Sequence, residues 1–272
     1  MPEFEKITSL RNGRIKQIRR LRDKRHRERE NRFVIEYNRD LRRALDKGFT
    51  LDYALFAPEI ADDDDHALLD RLNPAQVFEV TDEIMSKASY RQNPNGLIGI
   101  MVSQPVPNIA ELSDPLPDVM LALVDLKKPG NIGALLRTAD ATGVGAILLI
   151  DTDLDLFNPN IIRSSTGACF LNNVYAANSA EASDFFHAHQ VQSVAAVVDA
   201  DESLYKTVLR PPSVILLGTE DAGLTDFWFT HADYQVSIPM VGEVADSLNV
   251  SVSGAVMMYE ALRQRTLVDL EP

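Results

Sequence analysis

The sequence predicts an α/β protein: a parallel-sheet domain over 119–272, a small α/β domain over 1–103, and a proline-rich linker at 104–118 between them. Three observations predict it. Short apolar runs bounded by Gly or Pro, too brief for helices, alternate with amphipathic stretches, the pattern of buried strands covered by helices. Pro105, Pro107, Pro115 and Pro117 interrupt that rhythm once, so the segment is read as stiff and without regular structure. A length of 272 residues, 45% hydrophobic and 25% charged, suffices for two cores.

In the first domain, residues 13–30 lack internal Gly and Pro and carry Ile15, Ile18 and Leu21 as a thin apolar stripe, predicting one helix. Residues 33–35 read as the first strand, 39–47 as a helix stopped by Gly48, and 51–56 as a second strand. The acidic run 62–65 reads as a loop or helix start on solvated surface. Runs 76–80 and 97–102 complete a small sheet, with a helix at 82–88 capped by Thr81 or Asp82. In the second domain the strands are 119–124, 146–150, 174–176, 193–198, 214–217 and 234–238. Helices are expected at 131–142, with Ile132, Leu135, Leu136 and Ala139 inward and Gly143 as its stop, and at 159–163 and 180–189.

Net charge is −13, which alone argues against nucleic acid. Its distribution reverses that: residues 11–32 concentrate Arg and Lys, among them Arg14, Arg19, Arg20 and Arg22, against only Asp23, Glu28 and Glu30. A basic arm on an acidic body orients a polyanion toward the arm. The single Cys169 has no disulfide partner and reads as a buried small residue. No apolar run approaches the ~20 residues that span a bilayer, and the first six residues lack a secretory leader's apolar core, so a cytoplasmic address is expected.

Several ligand motifs are missing. The turn after 119–124 has neither G-x-G-x-x-G nor a P-loop. Asp151, Asp153 and Asp155 imitate a calcium loop, but Leu156 replaces its glycine and Ile162 its last carboxylate. His187 and His189 lack a third partner, so no metal is expected. The ligand site is therefore expected at the C-terminal stretch 214–253, where two strands read as neighbours empty into Gly-bearing loops. Walls made largely of main chain suit a nucleoside-like ligand. Upstream, Asn131 is read as the N-cap of its helix, and Gly133 lies four residues before Arg137 on one face. A missing side chain beside a guanidinium leaves a notch for phosphate or ribose.

Three motifs, in order, carry a resemblance: Pro129-Gly130-Asn131-Ile132-Gly133 through Arg137; Asn158-Pro159 through Arg163-Ser164-Ser165-Thr166-Gly167; and Leu217-Gly218-Thr219-Glu220 with Ile238-Pro239-Met240 and Ser247-Leu248-Asn249. With them, 119–264 resembles the catalytic domain of the SpoU-type (TrmH-like) RNA 2'-O-ribose methyltransferases of the SPOUT superfamily. The resemblance implies S-adenosylmethionine as methyl donor, a C-terminal trefoil knot, and a homodimer. It assigns donor contacts to Gly218, Ile238, Met240, Leu248 and Asn249, and the reacting hydroxyl and adjoining phosphate to Arg137. Asn131, Glu220, Ser247 and Asn249 are expected to orient that arginine and the loops, and Ser165 to contact RNA or cap a turn. The last helix is compatible with a dimer through an apolar stripe of Val252, Ala255, Val256, Tyr259 and Leu262. The N-terminal domain resembles the substrate-binding domain that precedes such enzymes, with Tyr37 where a glycine is usual, and it favours ribosomal over transfer RNA as substrate. A catalytically silent RNA-binding module is the alternative.

Overall fold

A computed structural model describes residues 4–171 and 173–268, with side chains to 266; the first three residues of the stretch read for a leader lie outside it. The chain forms two compact units, Met1–Pro105 with Asp155–Leu171, and Val106–Leu154 with Asn172–Pro272.

The first unit has five strands, β1 (Glu5–Ile7), β2 (Arg32–Ile35), β3 (Leu51–Phe56), β4 (Val77–Val80) and β5 (Leu97–Val102). They form a mixed sheet in the order β1-β4-β3-β5-β2, with β5 antiparallel to both β2 and β3. Strand β1 was not expected, because three residues with one inward side chain carry no periodicity. The single helix expected at 13–30 is two, α1 (Gly13–Arg20) and α2 (Lys24–Glu30). The break has a cause: Asp23 caps α2 by accepting from the Arg25 N–H at 2.9 Å, and Arg27 is buried, donating to the Leu21 carbonyl at 2.6 Å and to Asp155 at 2.7 Å. The stripe of Ile15, Ile18 and Leu21 is buried.

Helices α3 (Asn38–Asp46), α4 (Asp63–Leu69) and α5 (Asp82–Ala88) follow, with Thr81 capping α5. The acidic run is not all solvated surface. Asp62 and Asp65 form a reciprocal capping box, and Asp65, 1% exposed, also accepts from the Asn38 amide at 2.8 Å and the Gly96 N–H at 3.0 Å. A buried carboxylate persists where such donors replace water. Segment Asp155–Leu171, expected within the second domain, adds α7 (Pro159–Ser165) and a 3-10 turn (Ala168–Phe170) here. It brings Phe157 parallel to Phe33 at 4.3 Å between ring centroids, with Phe49 and Phe170 edge-on to one another beside them.

The second unit opens inside the expected linker, which is not devoid of regular structure: a 3-10 turn, Ile109–Glu111, buries Ile109 and is capped by Asn108. Seven parallel strands follow, β6 (Val119–Val124), β7 (Ala146–Ile150), β8 (Val174–Ala177), β9 (Gln192–Ala196), β10 (Glu202–Ser203), β11 (Ser213–Leu217) and β12 (Tyr234–Ser237), ordered β10-β12-β9-β11-β6-β7-β8. Helices α6 (Pro129–Thr142), α8 (Ser179–Ala188), α9 (Asp226–His231) and α10 (Val250–Val268) complete the unit. Its core joins Met120, Leu148, Val214 and Leu216 of the sheet to Phe186 and Trp228. Strands β11 and β12, expected as neighbours, are separated by β9, which pairs with both. Residue order along the chain does not encode order across a sheet.

Candidate functional site

Strands β9, β11 and β12 run parallel, so their carboxyl ends open on one edge, where two adjoining clefts of about 390 and 350 Å³ lie. Ile238, Pro239 and Met240 line the first; Leu217, Gly218 and Glu220 line the second; Val197, Val198, Asp199, Ser247, Leu248 and Ser253 are common to both. The β9 end was missed from sequence. The rule that ligands sit past strand carboxyl ends applied to it equally, but nothing local showed that β9 lies between the other two.

The loop after β11 is built from its glycines. Thr219 and Gly223 exchange two main-chain hydrogen bonds of 2.9 Å, and Gly223 takes φ +68°. A Cβ on Gly218 would lie 2.1 Å from the Gly223 carbonyl carbon, so only glycine permits this closure. The closed turn projects Glu220 toward the start of α6. One carboxylate oxygen accepts from Lys128, the other from the Asn131 amide and, at 2.7 Å, from the Asn249 amide. Asn249 also donates to the Asn131 carbonyl oxygen at 3.3 Å, while its own oxygen accepts from the Ser251 N–H at 2.9 Å and hydroxyl at 2.6 Å. Helix α6 begins at Pro129, two residues earlier than expected. Asn131 is therefore not its N-cap. Lys128 holds that position without a side-chain bond to the helix, leaving Asn131 free to reach Glu220. Lys128 was missed; its place just before a Pro at the first helical position is the signal that could have found it.

Asn131, Glu220 and Asn249 are thus brought together, and Gly218, Ile238, Met240, Leu248 and Ser247 line the clefts, whereas Asn249 belongs to the network and not to either lining. Arg137 is exposed on α6, and its side chain makes no hydrogen bond or ion pair with another described residue. The basic residues Arg14, Arg19, Arg20 and Arg22 lie in the first unit. Arg19 is unpartnered among the described residues, Arg20 lies 3.8 Å from Glu30, and Arg14 stacks 3.8 Å over the Phe78 ring. Arg22 donates to the Ala88 and Ser89 carbonyls. Ser165 is fully buried, donating to the Ile162 carbonyl at 3.2 Å and accepting from the Cys169 N–H at 3.4 Å. Of its two expected roles, it fills the turn-capping one; burial removes the hydroxyl from any RNA. Among the described residues no group of His, Cys, Asp and Glu could hold a metal.

The lining suits S-adenosylmethionine: a cradle closed by Gly218 with no room for a side chain, exposed apolar Met240 and Leu248, and main-chain polar groups of three loops. Residues 118–259 match the SpoU rRNA Methylase family, and 12–99 match the MRM3-like substrate binding domain. A 23S rRNA (uridine(2479)-2'-O)-methyltransferase of Streptomyces viridochromogenes is 30% identical over 276 residues, covering 97% of this chain and 94% of that one. The crystal structure of an RNA 2'-O ribose methyltransferase is 41% identical, with a TM-score of 0.83 over 96% of this chain and 99% of the other. That of an AdoMet-bound rRNA methyltransferase from Sinorhizobium meliloti is 29% identical, with a TM-score of 0.82 over 96% and 98%. With all three sequence motifs on the same fold, the chain belongs to the SpoU rRNA methylase family.

Proposed function

We propose that the chain transfers a methyl group from S-adenosylmethionine to a ribose 2'-hydroxyl of ribosomal RNA. The observation that carries this is the convergence of the Lys128, Asn131, Glu220 and Asn249 network on the rim of clefts walled by three loops, with the Arg137 side chain exposed on α6. The bound donor supplies an electrophilic sulfonium methyl. The chain must hold the hydroxyl in line with it and ease departure of a proton whose pKa lies far above neutral. The Arg137 guanidinium lowers the hydroxyl's pKa electrostatically, with the neighbouring RNA phosphate as proton acceptor. Glu220, whose two oxygens already accept from three donors, positions Asn131 and the loop instead of taking the proton.

Ribosomal RNA as substrate is supported by the activity named for the Streptomyces relative, and makes the cytoplasm its compartment. A homodimer and the trefoil knot belong to the same reading. The expected stripe on α10 points outward, with Val252 47% and Tyr259 53% exposed, leaving an apolar face for a second copy. The inner face of α10 seats Gly254, where a Cβ would meet Leu135 of α6 at 2.3 Å and Leu217 of β11 at 2.7 Å. The test is methyl-labelled S-adenosylmethionine with ribosomal RNA, followed by digestion to nucleosides. Label in 2'-O-methylnucleosides is expected; label only on bases, or none, overturns the reading. Arg137→Ala should keep donor affinity and lose incorporation.

A further inference from the structure

The first unit holds a cleft that the donor site does not use. Its floor is apolar, made by Ile18 of α1, Leu21 just after it, Val34 of β2 and Ile162 of α7. Its rim carries two tyrosines, each beside a guanidinium: Arg91 lies 4.3 Å over the Tyr37 ring and Arg22 lies 5.5 Å from the Tyr90 centroid. Arg163 of α7 completes the rim, exposed, with its side chain donating to the Asn160 side chain at 3.2 Å.

The turn that presents Tyr90 is fixed from below. Glu36 accepts from the Ser89 hydroxyl at 2.8 Å and from the Tyr90 N–H at 2.7 Å. Arg22 donates to the carbonyls of Ala88 and Ser89. These bonds occupy both oxygens of the cleft's acidic residue, so three arginines face an opening whose one carboxylate is engaged. Tyr90 nevertheless remains 57% exposed, an aromatic face held in place and left uncovered. An apolar cleft of about 50 Å³, flanked by stacking surfaces and rimmed by cations, is complementary to a nucleotide lying across its mouth: the base stacks on the exposed Tyr90 ring, and the phosphates meet the arginines. A base paired and stacked within a duplex offers no free face to that ring.

We propose that one unpaired base of the RNA substrate stacks on Tyr90 at the mouth of this cleft, with its flanking phosphates on Arg22, Arg91 and Arg163. The inference rests on the RNA reading above and deepens it, since it names the feature of the RNA that the first unit recognises. Stacking of a base on an aromatic ring is sequence-tolerant, so the cleft selects for an unpaired nucleotide at a fixed place and not for its identity.

The test uses the whole chain and two RNAs of equal length, a hairpin with an unpaired loop and a fully paired duplex, each measured by fluorescence anisotropy. Wild type should prefer the hairpin. Tyr90→Ala should weaken hairpin binding about tenfold, equivalent to about 1.4 kcal/mol, and leave duplex binding and S-adenosylmethionine affinity unchanged. Tyr90→Phe should bind as wild type. A 2-aminopurine in the loop should be quenched by wild type and by Tyr90→Phe but not by Tyr90→Ala. Equal loss on both RNAs, no loss on either, or unquenched 2-aminopurine with wild type would overturn the inference and leave the methyltransferase reading standing. Failure of wild type to bind either RNA would bring down both.

Discussion

Substituting Gly218 by alanine tests whether the loop after β11 is closed as tightly as its geometry states. The added carbon would lie 2.1 Å from the Gly223 carbonyl carbon and 2.3 Å from the Leu224 nitrogen, against an ordinary contact of 3.4 to 4 Å. Relief therefore needs a shift of more than 1 Å in main chain, since no flexible side-chain end is there to yield. Two Thr219 to Gly223 hydrogen bonds of 2.9 Å resist that shift, worth about 1 kcal/mol each. Overpacking a fitted interior adds about 1–3 kcal/mol, for a total of about 3–5 kcal/mol. The displaced turn also carries Glu220 away from Asn131 and Asn249. Gly13→Ala, in the first unit, is the control, because nothing lies within 4 Å of a Cβ there. Urea unfolding and calorimetric titration with S-adenosylmethionine should show a lower midpoint and at least tenfold weaker donor binding for Gly218→Ala alone. Equal behaviour of the two variants would refute the argument.

Glu260 is held below its ordinary value of 4.5, first by the Arg263 guanidinium, which donates at 2.7 and 2.8 Å, and then by the Gln264 amide at 2.8 Å, against the opposing effect of burial. A folded-state pKa that is depressed contributes stability above the unfolded value and loses it as pH falls through the folded one. Glu260→Gln should therefore cost about 1 kcal/mol at pH 7, discounted because Arg263 is half exposed, with the gap narrowing as pH falls below 4.5 in urea titrations; a pH-independent gap contradicts this. Burial pushes the Cys169 thiol up to about 12. Iodoacetamide should consequently alkylate the native protein at least about 100-fold more slowly than the urea-unfolded chain, and equal rates would count against that burial. Arg27→Ala strands Asp155 and the Leu21 carbonyl and should cost about 3 kcal/mol; a change under about 1 kcal/mol would mean the pair does not hold the break between α1 and α2.

What the sequence disclosed depended on how local the physics was. Strands such as β6 and β11 are continuous apolar runs bounded by breakers, and were legible to within a residue. Motif order identified Asn131, Glu220 and Asn249 before their contacts were known. Lys128 was passed over because the Pro after it marks only its place before the helix, while its ion pair reaches 92 residues along the chain. The insertion of β9 between β11 and β12 was hidden for the same reason, and with it the part played by Val197 to Asp199 in the lining. Asp65 deceived in the opposite direction: four consecutive aspartates look like surface, yet one is claimed by Asn38 and Gly96 from other elements. Arg27 likewise looked like one more cation of a basic arm, and is a buried tie.

The Glu220 carboxylate fastens partners 92, 89 and 29 residues away along the chain. Contacts so distant close late, after the shorter-range pairings around them exist. During synthesis, a chain that has emerged only as far as β12 owns every strand of the second unit but lacks Asn249 and α10. The Glu220 network and the share of the cleft lining made by Ser247, Leu248 and Ser253 therefore assemble only after every strand of the second unit is in place.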